Sequence, residues 1–491
     1  MQNYGIHFRV VRPHFHLHST SHFFASLRLP TGRLAMTTSH ISRRGTDLKY
    51  LFCNAKQPFL AYLFFIGYLI VFAWLVTRTR FFTDSGLSRS QLSILFLLKI
   101  LAGIFYGWMG RYYGNMAQMV DTWSYNQMGV VEYHLLGSNP HEYFTNILTS
   151  PYDNGFGNFF GSSDSYWNDL KGNVFVKLLS LFNIFSFGHY YVNVIFYSYI
   201  TLFGPIAIFR VMKDIFPTTK LSLLLAAFFI PSFIYWTSGI HKEGLIFLGV
   251  SLIIYHLYFG WKEKKYTLTR WLGVLLGLFI LFVLRNFLML LVIPAVLAWL
   301  LACRWPRYGL AIFTGVYLFF GLSFFAARSI DKRLDFPKAV VNKQQAFLRQ
   351  QGGVSTIPIK ELEPTFNSFL KNTPQAITLS LFRPYPADVH HLLSLVASAE
   401  ITLLLLLFLL FLLFRKKNGV ISKNAVYLCI FLSFSILLAI GFSINNLGAI
   451  VRYRSIVIPL LIIPVIAKTD WPRIIKFFSV KNKTGQQKIA A

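Results

Sequence analysis

WLGVLLGLFILFVLRNFLMLLVIPAVLAWLLACRW, residues 271–305, is apolar throughout except for Arg285-Asn286 near its middle and Arg304 at its end. As one helix it would be about 52 Å long, well beyond the roughly 30 Å of a bilayer's hydrocarbon core. It is therefore predicted to form two spans, 271–284 and 287–303, hinged at Arg285-Asn286. Further apolar runs of near span length lie at 59–76, 92–109, 190–211, 221–236, 244–259, 309–326, 392–414, 425–442 and 456–466. That makes about eleven. Pro231, Pro294, Pro459 and Pro464 fall inside runs and predict kinks that neighbouring helices must satisfy. The expected fold is all-α, a polytopic transmembrane helical bundle of about 10–12 spans with two sizeable extracytoplasmic loops.

Composition points the same way. Of 491 residues 55% are hydrophobic and only 13% charged, whereas a soluble domain carries about a quarter charged residues. Too little polar surface remains to cover a water-soluble globule, which excludes a soluble enzyme, a disordered chain and a fibrous protein. The formal charge of +29 resembles a nucleic-acid signal until its placement is considered. Much of it lies in short tracts between apolar runs: Arg78/Arg80/Arg89, Lys262/Lys264/Lys265/Arg270 and Arg415/Lys416/Lys417/Lys423. Such tracts set topology, so lipid headgroups rather than nucleic acid are the expected partner. Cys53, Cys303 and Cys429 show neither metal-ligand nor redox spacing.

Three regions follow. Residues 1–57 form a basic N-terminal extension in which Asp47 is the first acid. It reads as targeting-like or as the product of an upstream start codon, with Met36 the preferred initiator. Residues 58–467 form the transmembrane domain, and 468–491 a basic cytoplasmic tail. The connectors 77–91, 212–220, 260–270, 304–308 and 415–424 are short and basic, which makes them cytoplasmic. The loops 110–189 and 327–391, the turns 237–243 and 443–455 and the Arg285 hinge then lie outside. The basic N-terminus conflicts with this assignment if 59–76 crosses fully; the run is then re-entrant, or the tail weakly constrained. Loops as long as 110–189 and 327–391 are usually functional, so recognition or chemistry is expected at the outer membrane boundary.

Three constellations fall there. Met119-Val120-Asp121-Thr122-Trp123-Ser124-Tyr125 follows the second run. Asp121 suits a general base on a hydroxyl or a ligand to a divalent ion, and equally a helix-start acid. Trp236-Thr237-Ser238-Gly239-Ile240-His241-Lys242-Glu243-Gly244 sets His241, Lys242 and Glu243 in a connector that needs none of them to turn. A helix beginning near Lys242 would also aim free N–H groups at a phosphate; the plain alternative is a capped hairpin with solvated charges. Asn445-Asn446-Leu447-Gly448-Ala449-Ile450-Val451-Arg452-Tyr453-Arg454 places Arg452 and Arg454 where they want an anion, or where they snorkel to the interface. Arg285 is a further outward cation. Arg383 reads better as an interfacial anchor, and Lys99, inside the second run, is a functional candidate by position.

On these motifs the chain resembles the GT-C class of polytopic glycosyltransferases, and uncharacterised multi-span proteins of bacterial surface-polysaccharide pathways. Asp121 in DTWSY looks like the early-loop acid of that class, and Arg452/Arg454 in NNLGAIVRYR like the cations that grip a lipid phosphate. Two departures stand out: the acid follows the second run rather than the first, and no soluble domain follows the last. The resemblance implies transfer of a sugar from a polyprenyl-phosphate carrier to a glycan or protein acceptor at the extracytoplasmic face of the cell (inner) membrane. Asp121 would be the catalytic base with His241 or Glu243 competing, while Lys242, Arg285, Arg452 and Arg454 would bind the phosphate. No cofactor is required; a divalent cation is conceivable, but no metal site is assigned. A polysaccharide polymerase or ligase, leaning on Arg328, Arg333, Arg349 and Arg383, is the alternative. A non-enzymatic transporter comes third, because no internal repeat is evident.

Overall fold

The computed structural model describes residues 58–112, 121–150, 166–216, 220–349, 355–416 and 421–477. The extension 1–57, Met119, Val120 and the end of the basic tail lie outside these residues. Apolar segments in lipid must satisfy their backbone internally. Among the described residues the chain is accordingly helical without a strand, and only single bridges join Thr356 to Asn446 and Arg415 to Thr469.

In chain order, α1 (Pro58–Arg78) and α2 (Arg89–Tyr112) lead into a loop that carries α3 (Asp121–Ser138) and α4 (Tyr166–Ser186). Next come α5 (Tyr190–Ile215), then α6 (Lys220–Phe228) and α7 (Pro231–Ser238), which bend by 53°. The bend sits at Pro231, whose missing N–H is tolerated at a helix start. After α8 (Lys242–Lys262), α9 (Leu268–Arg304) and α10 (Gly309–Ala326), the second long loop holds α11 (Phe336–Leu348) and α12 (Phe366–Ile377). The chain ends in α13 (Leu392–Leu413), α14 (Lys423–Ser443) and the pair α15 (Leu447–Ser455) and α16 (Ile458–Lys468), bent by 63°. Among the described residues eight helices are long and apolar enough to cross a membrane, ten if each bent pair counts as one span. This is a multi-pass membrane protein.

All the apolar runs lie in helices, but α9 holds two of them. At Arg285 its backbone leaves helical geometry (φ −158°, ψ 75°). Gly273 packs on His256, Trp299 lies 6.1 Å from Trp261, and Arg285 meets Glu243 at the opposite end of α8. The two halves of α9 therefore both run beside α8, and the chain turns back at the hinge.

Helix ends gather in two groups. At one end Lys213 donates to the Ser85 carbonyl, Tyr258 to Asp214, the Ile421 N–H to the Ile215 carbonyl and Asn424 to the Ala302 carbonyl. These are the basic connectors, brought together. At the other end Arg285 meets Glu243, Thr122 donates to the Ile240 carbonyl, and the Ile357 N–H to the Asn445 carbonyl. Helix α1 runs along α5 from one group towards the other: Phe64 stacks on Phe187, Thr79 bonds Tyr199 near the middle of α5, and just beyond α1 the Phe81 carbonyl accepts from Arg210. The re-entrant option for that segment falls away, and Pro58 lies at the end opposite the basic connectors. Helices α5 and α8 form the buried centre, whereas α1, α10 and α13 present Leu, Ile and Phe outward as lipid-facing helices do.

Candidate functional site

The site begins with how the turn between α7 and α8 is held. Its carbonyls are taken by three different helices. Lys99 of α2 donates to the Thr237 carbonyl at 2.8 Å, Thr122 of α3 to the Ile240 carbonyl at 3.0 Å, and Tyr197 of α5 to the His241 carbonyl. Gly239 is required by proximity, since a Cβ there would sit 2.1 Å from the Tyr106 ring. Lys99, buried inside α2, thus spends its charge on the last turn of α7, where a cation complements the helix dipole.

From this turn α8 starts at Lys242, with His241 as its N-cap residue. The His241 side chain does not cap the helix; its Nδ1 contacts Glu243 instead. The Glu243 side chain has no exposure at all, and its other oxygen accepts from Arg285 at 2.8 Å and lies 3.4 Å from Arg452 Nε. A buried carboxylate is tolerable only when paired and hydrogen-bonded. Two arginines and an imidazole supply that pairing. Arg285 comes from the α9 hinge, where the chain has left helical geometry.

Tyr453 lies beneath both guanidinium groups, with Arg285 4.1 Å and Arg452 4.8 Å from its ring centre. Arg452 also donates to the Tyr453 hydroxyl at 2.9 Å and stands 5.8 Å from the Trp236 ring. Lys242 lies over Tyr125, 5.1 Å from its centre. Asp121 is exposed in the first turn of α3, within electrostatic reach of Arg452. Residues from α3, α7, α8, α9 and α15 therefore meet in one place.

Two lysines join them from the long loops. Lys171 of α4 is half-buried; burial first, then the like charges of Lys242, Lys343 and Arg285, pull its ammonium down to about 7. Lys343 of α11 is lowered by burial; Tyr453 opposes the shift, and Arg285 and Arg452 add to it.

Six of the seven residues singled out from sequence thus share one neighbourhood: Asp121, His241, Lys242, Glu243, Arg285 and Arg452. Arg454 does not. Two positions along a helix are about 200° apart, so Arg454 turns away from Arg452. It is buried with 1% exposure and donates to the Ser380 and Arg383 carbonyls, with Glu400 in electrostatic reach. The other loop arginines are also elsewhere: Arg383 pairs with Asp388, Arg333 with Asp331, and Arg328 reaches the Pro364 carbonyl. Tyr453, Trp236, Lys171 and Lys343 had not been singled out. Lys171 is one of three cations, with Arg111 and Lys177, in a loop that carries six acids, so nothing local set it apart. Among the described residues no three His, Cys, Asp or Glu side chains gather as metal ligands would.

The fold and this site define a multi-pass membrane protein with a cationic cluster at one end of its bundle. No protein-family model, curated protein or solved structure matches the chain.

Proposed function

We propose that this protein is a membrane glycosyltransferase that takes a sugar from a polyprenyl-phosphate carrier and hands it to a glycan or protein acceptor. The observation that carries the reading is the convergence of Lys171, Lys242, Arg285, Lys343 and Arg452 around one buried carboxylate, Glu243, with exposed Asp121 beside them. The excess of positive charge calls for an anion, and its position at the helix ends suits a lipid whose phosphate lies at the membrane boundary. By the positive-inside rule this end is extracytoplasmic, which places the reaction on the outer face of the cell membrane.

The chemistry divides between the groups. The acceptor oxygen attacks the anomeric carbon, the bond from that carbon to the phosphate oxygen breaks, and the hydroxyl proton passes to Asp121. Direct displacement inverts the sugar carbon. The cations stabilise charge on the departing phosphate, usually the largest electrostatic contribution in such transfers. Both Glu243 oxygens are engaged, so Glu243 positions Arg285 and Arg452, and His241 with them. The polymerase reading leans on Arg328, Arg333, Arg349 and Arg383; the partners of Arg328, Arg333 and Arg383 lie elsewhere and Arg349 is exposed at the end of α11, which favours the transferase.

The test is transfer of a radiolabelled sugar from a polyprenyl-phosphate donor by the purified protein in proteoliposomes. The wild type should form a new glycosidic bond, and Asp121→Asn should lose that product while still binding donor. Donor crossing the bilayer without a new bond would establish transport instead.

A further inference from the structure

The two loop lysines have no role in holding Glu243. Trp167, Lys171 and Phe175 are spaced four apart and share one face of α4. Trp167 packs on Phe282, 5.6 Å away and three residues before Arg285, while Phe175 meets Tyr125, 5.1 Å away, whose ring carries Lys242. Lys171 is thereby fixed between the Arg285 hinge and Lys242. Lys343 is fixed as firmly, because the adjacent Gln344 side chain donates to the Lys360 and Phe442 carbonyls at 3.2 and 3.0 Å. Phe442 lies just before the turn into α15, which carries Arg452. Among the described residues neither lysine makes an ion pair with a carboxylate. Solvated surface lysines would splay apart to relieve their repulsion; these two are held half-buried on the same cluster.

We infer that Lys171 and Lys343, one from each long loop, form a second anionic subsite beside the Arg285–Arg452 pair, and that the carrier is therefore a diphosphate. This rests on the transferase reading and specifies its substrate. The charge balance supports it: five cations stand against two carboxylates, Glu243 and Asp121, leaving three positive charges unmatched among the described residues when Lys171 is protonated. A monophosphate diester brings one negative charge. A diphosphate-linked sugar brings two, and when the anomeric C–O bond breaks the leaving diphosphate takes the bonding pair and carries up to three. The site then complements the leaving group better than the bound substrate, as transition-state stabilisation requires.

The test compares binding of a polyprenyl diphosphate, a polyprenyl monophosphate of equal chain length and inorganic pyrophosphate to the purified full chain, as wild type and as Lys171→Met, Lys343→Met and their double variant. Each single variant should weaken diphosphate-lipid binding about tenfold, the scale of one charge-assisted hydrogen bond, and leave the monophosphate within about twofold. Lys171→Arg and Lys343→Arg should restore the discrimination, which separates charge from folding. Pyrophosphate binding weakened in parallel supports a subsite built for the diphosphate itself. Equal weakening of both lipids, or of neither, overturns the inference but leaves a phosphate-lipid site standing. A wild type that binds neither lipid overturns the transferase reading along with it.

Discussion

Glu243 is the residue on which the cluster depends, because Arg285, Arg452 and His241 all face its carboxylate. Glu243→Gln leaves two guanidinium groups without their buried counter-ion. Breaking such a pair from one side costs about 3–5 kcal/mol, so unfolding in detergent micelles should show a loss of that order. Asp121→Asn, at an exposed position, should stay within about 0.5 kcal/mol of the wild type. A second expectation concerns pH. Lys171 is held near 7 by burial and by Lys242, Lys343 and Arg285 around it. An anion bound there favours the charged ammonium, so binding takes up a proton once pH exceeds that value. With the sugar attached, the carrier's phosphates have no titrating group near neutrality, unlike a terminal monoester, whose second pKa is about 6. Carrier affinity should therefore fall as pH rises through 7, by about tenfold in all, the same loss expected on removing the Lys171 charge by substitution; a flat binding profile would speak against it. At this scale the sequence was informative where polar residues interrupt apolar runs, as at His241–Glu243 and Arg285. Lys171 and Lys343 escaped notice because a lysine in a polar loop looks solvated until the loop is folded. Arg454 was paired with Arg452 by proximity along the chain, although helical periodicity sends the two to different faces.

The element that sets the geometry is the α7–α8 turn, pinned through its carbonyls by Lys99, Thr122 and Tyr197. Gly103 and Gly239 allow α2 to lie against it, with the Ser238 carbonyl 2.7 Å and the Tyr106 ring 2.1 Å from where a Cβ would stand. Gly239→Ala should displace the turn and destabilise the protein by about 1–3 kcal/mol, the usual cost of overpacking, measured by thermal unfolding. A melting point unchanged from the wild type would show that the turn tolerates the methyl group. The breaks at Pro231 and Pro459 and the Arg285 hinge were legible from sequence, since a missing N–H and an interrupted apolar run have local consequences, whereas the helices run on through Pro294 and Pro464. Helices α4, α11 and α12 were not, and of α3 only its start at Asp121 was. They lie in stretches read as loops, because none carries the long uninterrupted apolar pattern of a span and each is helical through its packing on neighbours.

Across the whole molecule, the crossings alternate between two ends once α9 is seen to turn back at Arg285. The basic connectors touch one another at one end, and both long loops meet the cluster at the other. Charge placement revealed this partition in the sequence because lysines and arginines collect in short connectors whatever the helices between them do. Which distant residues would meet at the far end was not legible, since that depends on how α4 and α11 fold over the bundle. The most direct test is native mass spectrometry of the protein purified from membranes, as wild type and as an Arg285→Gln/Arg452→Gln variant of confirmed fold. The wild type should carry an adduct with the mass of a polyprenyl carrier and its phosphates, and the variant should have lost it. An adduct retained equally by both, or an adduct of ordinary phospholipid alone, would contradict the assignment of this cluster to a lipid-linked sugar.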